Sequence, residues 1–251
     1  MVLGVVEGIT EFLPVSSTGH LILTSRILGL PSTEFLKSFD IAIQSGAIGA
    51  VVVLYGRILL RDREMLKRVM AAFLPTAVIG ALFYKLIKGF LLGSTLVVAA
   101  ALFIGGILIV VFEKFHSPKE PSTPAQGPSV TYTQALLIGL FQSLAMIPGV
   151  SRAAATILGG LWLGIKRKTI VEFSFILAVP TMLAATGYDL WKTRAVFSWD
   201  EMTLLAIGFV VSFIVAVLSI KFLLHFIKKH SFEAFGYYRI LAAVLFFVVY
   251  H

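Results

Sequence analysis

Long apolar runs separated by short charged segments account for most of the chain after residue 40. Each run is close to the roughly 17–25 residues that an α-helix needs to cross a bilayer. The pattern therefore predicts about six transmembrane helices. Their approximate positions are 40–56, 70–88, 92–112, 170–190, 203–223 and 236–250.

Two stretches, 4–30 and 134–165, show a different pattern, in which apolar helical segments are interrupted at a proline. Proline cannot continue a helix cheaply, so we expect each stretch to form two short helices, separated at Pro14 and at Pro148. Irregular backbone at membrane depth is tolerated only where protein or a water-filled cavity surrounds it. The sequence therefore predicts two re-entrant helical hairpins, each of which enters and leaves the membrane on one side.

The first break concentrates polar side chains that are costly in lipid. Glu7 and Glu11 are four residues apart, so on a helix they share one face. Three hydroxyls that follow Pro14 can cap a second helix, and they belong to Ser16, Ser17 and Thr18. Such a cap would place backbone N–H groups and the positive end of a helix dipole beside the two carboxylates and His20.

The second break, from Gln142 to Thr156, repeats the layout of the first, because its proline is again followed three residues later by a serine, Ser151. Gln142 stands near the position that Glu7 occupies in the first copy, with an offset of one residue. Its charged residue is Arg152 rather than an acid. The similarity is weak, but it predicts an internal repeat.

Three full spans in each half force the two hairpins to open on opposite faces, which predicts inverted repeats in an all-α polytopic membrane protein. The proline-threonine pairs at 75–76 and 180–181 give weaker support, and we expect each pair to break a span. The chain would form one integral-membrane domain, 1–251, with a first repeat at 1–112, a proline-rich cytoplasmic linker at 113–133 and a second repeat at 134–251.

Composition agrees with a membrane-embedded chain. Hydrophobic residues make up 58% and charged residues 14%, and the mean hydropathy is +0.95, which leaves more apolar surface than a soluble domain of this length could bury. The absence of cysteine excludes disulfides and thiolate sites. The net charge of +8 is attributed to loops that face anionic lipid, so no nucleic-acid partner is expected.

Basic residues set the predicted orientation. The segment 57–68 is rich in arginine, which assigns it to the cytoplasm by the positive-inside bias. Other cations assigned to the same side are Lys114, Lys119, Lys221 and Arg239. Arg152 is left within the membrane. In this arrangement the first hairpin opens outward and the second inward.

The two motifs together resemble the undecaprenyl pyrophosphate phosphatase family, the bacitracin-resistance membrane phosphatases. The residues that carry the resemblance are Glu7-x-x-x-Glu11-Phe-Leu-Pro14-x-Ser16-Ser17-x-Gly-His20 and Pro148-Gly-x-Ser151-Arg152-x-x-x-Thr156. The resemblance implies an enzyme of the bacterial inner (plasma) membrane that removes the terminal phosphate of undecaprenyl pyrophosphate and so recycles the lipid carrier of cell-wall synthesis. It also implies a divalent cation and a site open to the periplasm. Ala153 departs from the family pattern, which has serine there, and we favour the interpretation that only small size matters at this position.

Diphosphate hydrolysis needs charge neutralisation and an activated nucleophile. Arg152 suits the first role, because its guanidinium forks onto phosphate oxygens. Glu7 and Glu11 are expected to hold Mg²⁺ or Ca²⁺ that also contacts the diphosphate. Ser17 or His20 would attack phosphorus, directly or through a water that His20 activates, and the sequence does not choose between them.

The remaining hydroxyls of the motifs are candidate phosphate ligands, although such groups in membrane helices usually bond their own backbone. They belong to Ser16, Thr18, Ser151 and Thr156. The expected partners are thus a polyprenyl diphosphate and membrane lipids, and the sequence leaves a homodimer open.

Two other functions compete with this hypothesis. Inverted repeats with broken helices are also the architecture of secondary transporters, so a transporter or flippase for phosphorylated polyprenyl lipid is the alternative. Two acids beside an anionic substrate argue against pure transport unless a cation bridges them. The other large class of membrane lipid phosphatases fits poorly, because Leu158 stands where that class requires a histidine.

Overall fold

The computed structural model describes residues 1–31, 33–86, 95–115, 130–193 and 198–250, and the regular secondary structure of these residues is helical throughout. A 3₁₀ turn at Leu144–Met146 follows the sixth helix. The α-helices are α1 (Val2–Thr10), α2 (Ser17–Ile27), α3 (Glu34–Arg61), α4 (Arg63–Leu86), α5 (Thr95–Phe115), α6 (Tyr132–Ser143), α7 (Arg152–Trp162), α8 (Arg167–Thr193), α9 (Trp199–Phe226) and α10 (Glu233–Tyr250).

Five of these helices are long and apolar enough to cross a membrane. They are α3, α4 as far as Phe83, α5, α8 as far as Gly187, and α9. The sixth predicted span corresponds to α10, a helix of 18 residues. The protein is therefore an all-α, multi-pass membrane protein, as the apolar runs predict.

The two predicted breaks separate short helices. In the first, α1 ends at Thr10, earlier than the predicted stop at Pro14, and irregular backbone continues to Ser16 before α2 begins. In the second, the 3₁₀ turn leads into Pro148 and Gly149 before α7 begins. Gly149 has φ +93°, and a Cβ there would lie 2.5 Å from the backbone oxygen of Val98, so the close approach of this turn to α5 requires glycine.

The prediction that the proline-threonine pairs break their spans is wrong. Pro75 lies inside α4 and Pro180 inside α8, and both helices continue past them. Proline is tolerated inside membrane helices where neighbouring helices and hydroxyls satisfy the backbone. Next to Pro75, α4 packs on α6, and the hydroxyl of Thr76 donates to the backbone oxygen of Gly139 on that neighbouring helix (2.9 Å).

Each short helix packs against a long helix from the other half of the chain. α1 lies against α9, and α6 lies against α4. Glycines allow both contacts, because a Cβ at Gly8 would lie 2.7 Å from the oxygen of Ser212, and a Cβ at Gly139 would overlap the oxygen of Ala72. α2 contacts α10, and α7 contacts α5. The long helices α3 and α8 pack on each other, as do α5 and α10.

The ends of the predicted linker 113–133 are helical. α5 extends through Phe115, and Thr131 begins α6 with a capping box that also uses Gln134. The carboxylate of Glu113 is buried and accepts two hydrogen bonds from Arg167, at 2.7 and 2.8 Å. Residues 116–129 lie outside the described part of the chain.

Candidate active site

The side chain of Glu11 joins the two sequence motifs. The hydroxyl of Ser17 donates to Oε2 of Glu11 at 2.5 Å. Arg152, 141 residues further along the chain, donates to Oε1 from Nη2 at 3.1 Å and from Nε at 3.4 Å. Ser17 is the first residue of α2 and Arg152 the first of α7. Both helices therefore begin beside one buried carboxylate.

Ser16, which directly precedes Ser17, caps α2 in a strained backbone conformation. Ser16 is the N-cap of α2, and its hydroxyl accepts a long hydrogen bond from the N–H of Gly19 (3.5 Å). Its φ is +74°, a conformation that is uncommon for residues other than glycine and that costs energy. Such strain persists only where the surroundings enforce it, and it clusters at functional sites.

Arg152 is held by groups on three sides. Besides its bonds to Glu11, its Nη1 donates to the backbone oxygen of Ser174 on α8 at 2.9 Å. Its guanidinium lies 5.9 Å from the ring centroid of Phe12. A buried arginine needs such compensation. Ser174 was not predicted as part of the site, because its contact depends on how α8 packs against α7.

The carboxylate of Glu7 is fully buried, with an exposed fraction of 0%. Neither of its oxygens has a hydrogen-bond partner in the described part of the chain. A buried carboxylate without a donor is costly unless a cation or a proton compensates it. Glu7 lies one helical turn before Glu11, whose N–H bonds to its backbone oxygen at 2.9 Å.

These two acids fit a divalent cation that also binds substrate. The described residues contain no group of three or more Asp, Glu, His or Cys side chains placed to hold a metal. Mg²⁺ usually takes one or two protein carboxylates and completes its shell with water and substrate phosphates. The unpartnered oxygens of Glu7 match that donor set. The carboxylate of Glu11 lies one turn away and would have to share its oxygens between the cation, Ser17 and Arg152.

His20 does not hydrogen-bond to Ser17. Its Nδ1 lies 2.7 Å from the backbone oxygen of Ser16, and its Nε2 lies 2.7 Å from the hydroxyl of Tyr238 on α10. The rings of His20 and Tyr238 are stacked, with centroids 5.4 Å apart. Both ring nitrogens are thus engaged by groups other than the nucleophile candidate. Tyr238 carries no motif signal in the sequence.

The other predicted phosphate ligands lie in different surroundings. Ser151 caps α7, since its hydroxyl accepts from the N–H of Ala154 at 3.1 Å. Thr156 is fully buried, and its hydroxyl bonds to Ser174 (2.6 Å) and to the backbone oxygen of Arg152 (2.9 Å). Thr18 is exposed at the start of α2. Of these three hydroxyls, that of Thr18 is therefore the accessible one. The hydroxyl of Ser17 is accessible as well.

Arg239, which the charge count included among the cations of the cytoplasmic side, is a buried residue and not a loop cation. Its side chain has an exposed fraction of 1%. It extends from α10 toward α5 and the two breaks. Four carbonyl oxygens accept its hydrogen bonds, namely those of Pro14, Ala101, Leu102 and Gly149. Hydropathy and charge counts cannot distinguish such a buried cation from a loop cation near the end of a span.

Gln142, the counterpart of Glu7, forms a neutral cluster instead of an acidic one. Its Nε2 donates to the hydroxyls of Thr76 (2.9 Å) and Thr181 (3.2 Å). The threonines that follow the two in-helix prolines therefore meet at one residue of α6. The acidic chemistry belongs to the first motif alone.

Fold and site together define a multi-pass membrane protein with a partly buried serine–carboxylate–arginine site at the start of two helices. The family described as "Bacitracin resistance protein BacA" matches residues 1–245, and the chain belongs to that family. A relative from Aquifex aeolicus is 52% identical over 98% of this chain and 95% of its own length. Relatives from Sulfurihydrogenibium sp. (50%, covering 100% and 98%) and Thermus thermophilus (48%, covering 97% and 94%) are similar. All three are named undecaprenyl-diphosphatase.

Proposed function

We propose that this protein is a phosphatase that hydrolyses undecaprenyl pyrophosphate to undecaprenyl phosphate and inorganic phosphate. The relatives that are about half identical to it carry the name of that activity. The observation that carries the proposal is the contact of Ser17 and Arg152 with the same carboxylate, Glu11. A hydroxyl, a base and a permanent cation are the groups that phosphoryl transfer requires.

The hydrogen bond between Ser17 and Glu11 favours Ser17 as the nucleophile. Oγ of Ser17 attacks the terminal phosphorus while Oε2 of Glu11 accepts its proton. The bond from that phosphorus to the bridging oxygen breaks, and the polyprenyl phosphate leaves. Water then hydrolyses the phosphoserine and releases inorganic phosphate. His20 is a poorer candidate for attack, because both of its nitrogens are engaged elsewhere.

Arg152 and the helix N-termini stabilise the charge that develops. The N-termini of α2 and α7 carry the positive ends of their helix dipoles and therefore favour anions. Arg152 adds a guanidinium beside the same carboxylate. Glu7 and Glu11 would hold Mg²⁺ or Ca²⁺, which, when bound, neutralises charge on the diphosphate oxygens.

The packing supports inverted repeats and six spans, with α1–α2 and α6–α7 as re-entrant hairpins. The first five helices correspond in order to the last five. The contact of α1 with α9 therefore has its counterpart in the contact of α6 with α4. The contact of α2 with α10 likewise has its counterpart in the contact of α7 with α5. α3 with α8 and α5 with α10 are contacts between corresponding spans. A two-fold relation between halves of opposite orientation accounts for all of these pairs.

We place the protein in the bacterial inner membrane, with the site open to the periplasm. The support is the basic segment 57–68, which favours the cytoplasm. Glu7, Glu11 and Ser17 then lie on the hairpin that enters from the outer face. The first motif can therefore receive a diphosphate from the periplasmic side.

Phosphate release by purified protein in detergent, with a polyprenyl diphosphate as substrate, tests this function. We expect turnover by the wild type and its loss in Ser17→Ala and Glu11→Gln, by at least about 100-fold. Ser25→Ala, on the same helix, is the matched control and should be fully active. A transporter or flippase would move the lipid between leaflets without releasing phosphate, and that result would refute the proposal.

A further inference from the structure

Tyr238 and Arg239 are adjacent residues of α10, and each contacts the candidate site through a different group. We propose that this pair is a positioning element, which holds the two motifs in the geometry that catalysis needs. The inference rests on the proposed function. It concerns residues that touch neither the phosphate nor the nucleophile.

Arg239 bonds both breaks, in each case three residues before the next helix begins. Its Nη1 donates to the oxygen of Pro14 at 3.3 Å, and its Nη2 donates to the oxygen of Gly149 at 3.0 Å. Pro14 lies three residues before Ser17, and Gly149 lies three residues before Arg152. One guanidinium thus fixes the backbone that leads to the hydroxyl and the backbone that leads to the phosphate-binding cation.

The remaining bonds of Arg239 anchor it to α5. Its Nε donates to the oxygen of Leu102 (3.3 Å) and its Nη2 to the oxygen of Ala101 (2.9 Å). These four bonds leave almost no donor capacity for a ligand, since an arginine has five N–H groups in all. No described carboxylate forms an ion pair with it. A buried cation that bonds only carbonyl oxygens holds backbone in place and does not bind the diphosphate.

Gly105 provides the space that this arginine occupies. A Cβ at Gly105 would overlap Nη2 of Arg239 and lie 2.8 Å from its Cζ. Replacing Gly105 with alanine would therefore push the guanidinium away from the breaks while leaving Arg239 in place. This substitution keeps the charge of Arg239 and changes only where its guanidinium lies.

Tyr238 acts on the first motif through His20. The oxygen of Ser16 can only accept, so His20 donates to it from Nδ1, and in the neutral imidazole Nε2 then accepts from the hydroxyl of Tyr238. Tyr238 thus fixes the ring that bonds the strained N-cap of α2. Ser17 follows Ser16 directly, so the chain of contacts ends at the nucleophile. In this arrangement His20 is a positioning residue.

The test compares three variants with matched controls by steady-state phosphate release from a polyprenyl diphosphate. The variants are Gly105→Ala, Arg239→Lys and Tyr238→Phe. The controls are Gly56→Ala, whose Cβ would meet no atom within 4 Å, Arg61→Lys on an exposed helix end and Tyr237→Phe at the exposed neighbouring position of α10. A misplacement of about 1 Å can cost about 100-fold in rate. We expect kcat to fall about 10- to 100-fold in the variants, with KM changed less than about threefold, and the controls to match the wild type.

A distance measurement gives a readout that does not depend on turnover. Because the chain has no cysteine, spin labels can be placed at Ile27→Cys on α2 and Trp162→Cys on α7, both of which are exposed. We expect a narrow distance distribution in the wild type. Gly105→Ala and Arg239→Lys should broaden or shift it, whereas Gly56→Ala should not.

The possible results separate this inference from the proposed function. If Ser17→Ala and Glu11→Gln are inactive but Gly105→Ala and Tyr238→Phe keep the wild-type kcat, the positioning inference is wrong and the function stands. A rise in KM alone would also contradict it, because that result indicates ground-state binding. If Ser17→Ala and Glu11→Gln release phosphate normally, the roles given to Ser17 and Glu11 are wrong, and if the wild type releases no phosphate, the proposed function itself is wrong. Should Arg239→Lys not fold, Gly105→Ala and Tyr238→Phe still decide the question.

Discussion

In the described part of the chain, one buried guanidinium group, that of Arg239, and two partly buried ones, those of Arg152 and Arg167, are compensated in different ways. Arg152 pairs with Glu11, and Arg167 forms a bidentate pair with Glu113. Arg239 bonds carbonyl oxygens only. Removing one partner of a buried pair typically destabilises a protein by about 3–5 kcal/mol. Loss of activity in a variant of Glu11 therefore has to be measured together with the folded fraction.

Glu7 offers the sharpest prediction at the residue scale, because its oxygens are buried without partners. Glu7→Gln should weaken binding of Mg²⁺ or Ca²⁺ by at least about 10- to 100-fold, the loss that follows removal of even an outer-shell partner. The fold should persist, since the amide keeps the shape of the acid. Calorimetric titration of the purified protein with each ion measures this, and Glu34→Gln on the exposed start of α3 is the control. Full activity of Glu7→Gln or Glu11→Gln in a chelator would contradict the metal role.

The sequence singled out three residues that the structure brings together, but not the residues that contact them from other helices. Glu11, Ser17 and Arg152 stand out because polar groups are rare in apolar sequence. Tyr238 and Arg239 do not stand out, because a tyrosine and an arginine near the end of a span look like an interfacial pair. Their partners are a histidine ring and backbone oxygens that only the tertiary fold brings near. No local pattern encodes such contacts.

At the scale of elements, the period and length of apolar runs predicted the long helices well. Each predicted span lies largely within a helix, and both predicted breaks lie between helices. The proline-threonine pairs misled the prediction because proline lowers helix stability locally, whereas packing decides whether the helix continues. At Thr76 that packing is a hydrogen bond to α6.

The contact between α6 and α4 predicts a stability effect. A Cβ at Gly139 would overlap the backbone oxygen of Ala72, so Gly139→Ala should force the helices apart and destabilise the protein by about 1–3 kcal/mol. Gly187→Ala, at a helical glycine with open space around it, should be neutral or slightly stabilising. Unfolding of both variants in mixed micelles measures the difference. Equal stability of the two would show that the helices can separate without cost.

Sidedness is a property of the whole molecule and remains a prediction. Thr18 is exposed at the start of α2. With Thr18→Cys in this chain without cysteine, a membrane-impermeant thiol reagent should label intact spheroplasts, and a polyprenyl diphosphate should block the reaction. Arg61→Cys, on the predicted cytoplasmic side, should react only after lysis. Labelling of Thr18→Cys only after lysis would reverse the assignment.

The short helices pack on long helices from the other half of the chain, and this has a consequence for biogenesis. α1 leaves the ribosome well before α9, the helix that it packs on. A nascent chain therefore carries Glu7 and Glu11 without their final neighbours until α9 has been made. Residues 1–115 and 130–251 produced as separate polypeptides should each be inactive, and co-expression should restore activity. A chain that terminates early would accordingly insert into the membrane without ever becoming an uncontrolled hydrolase.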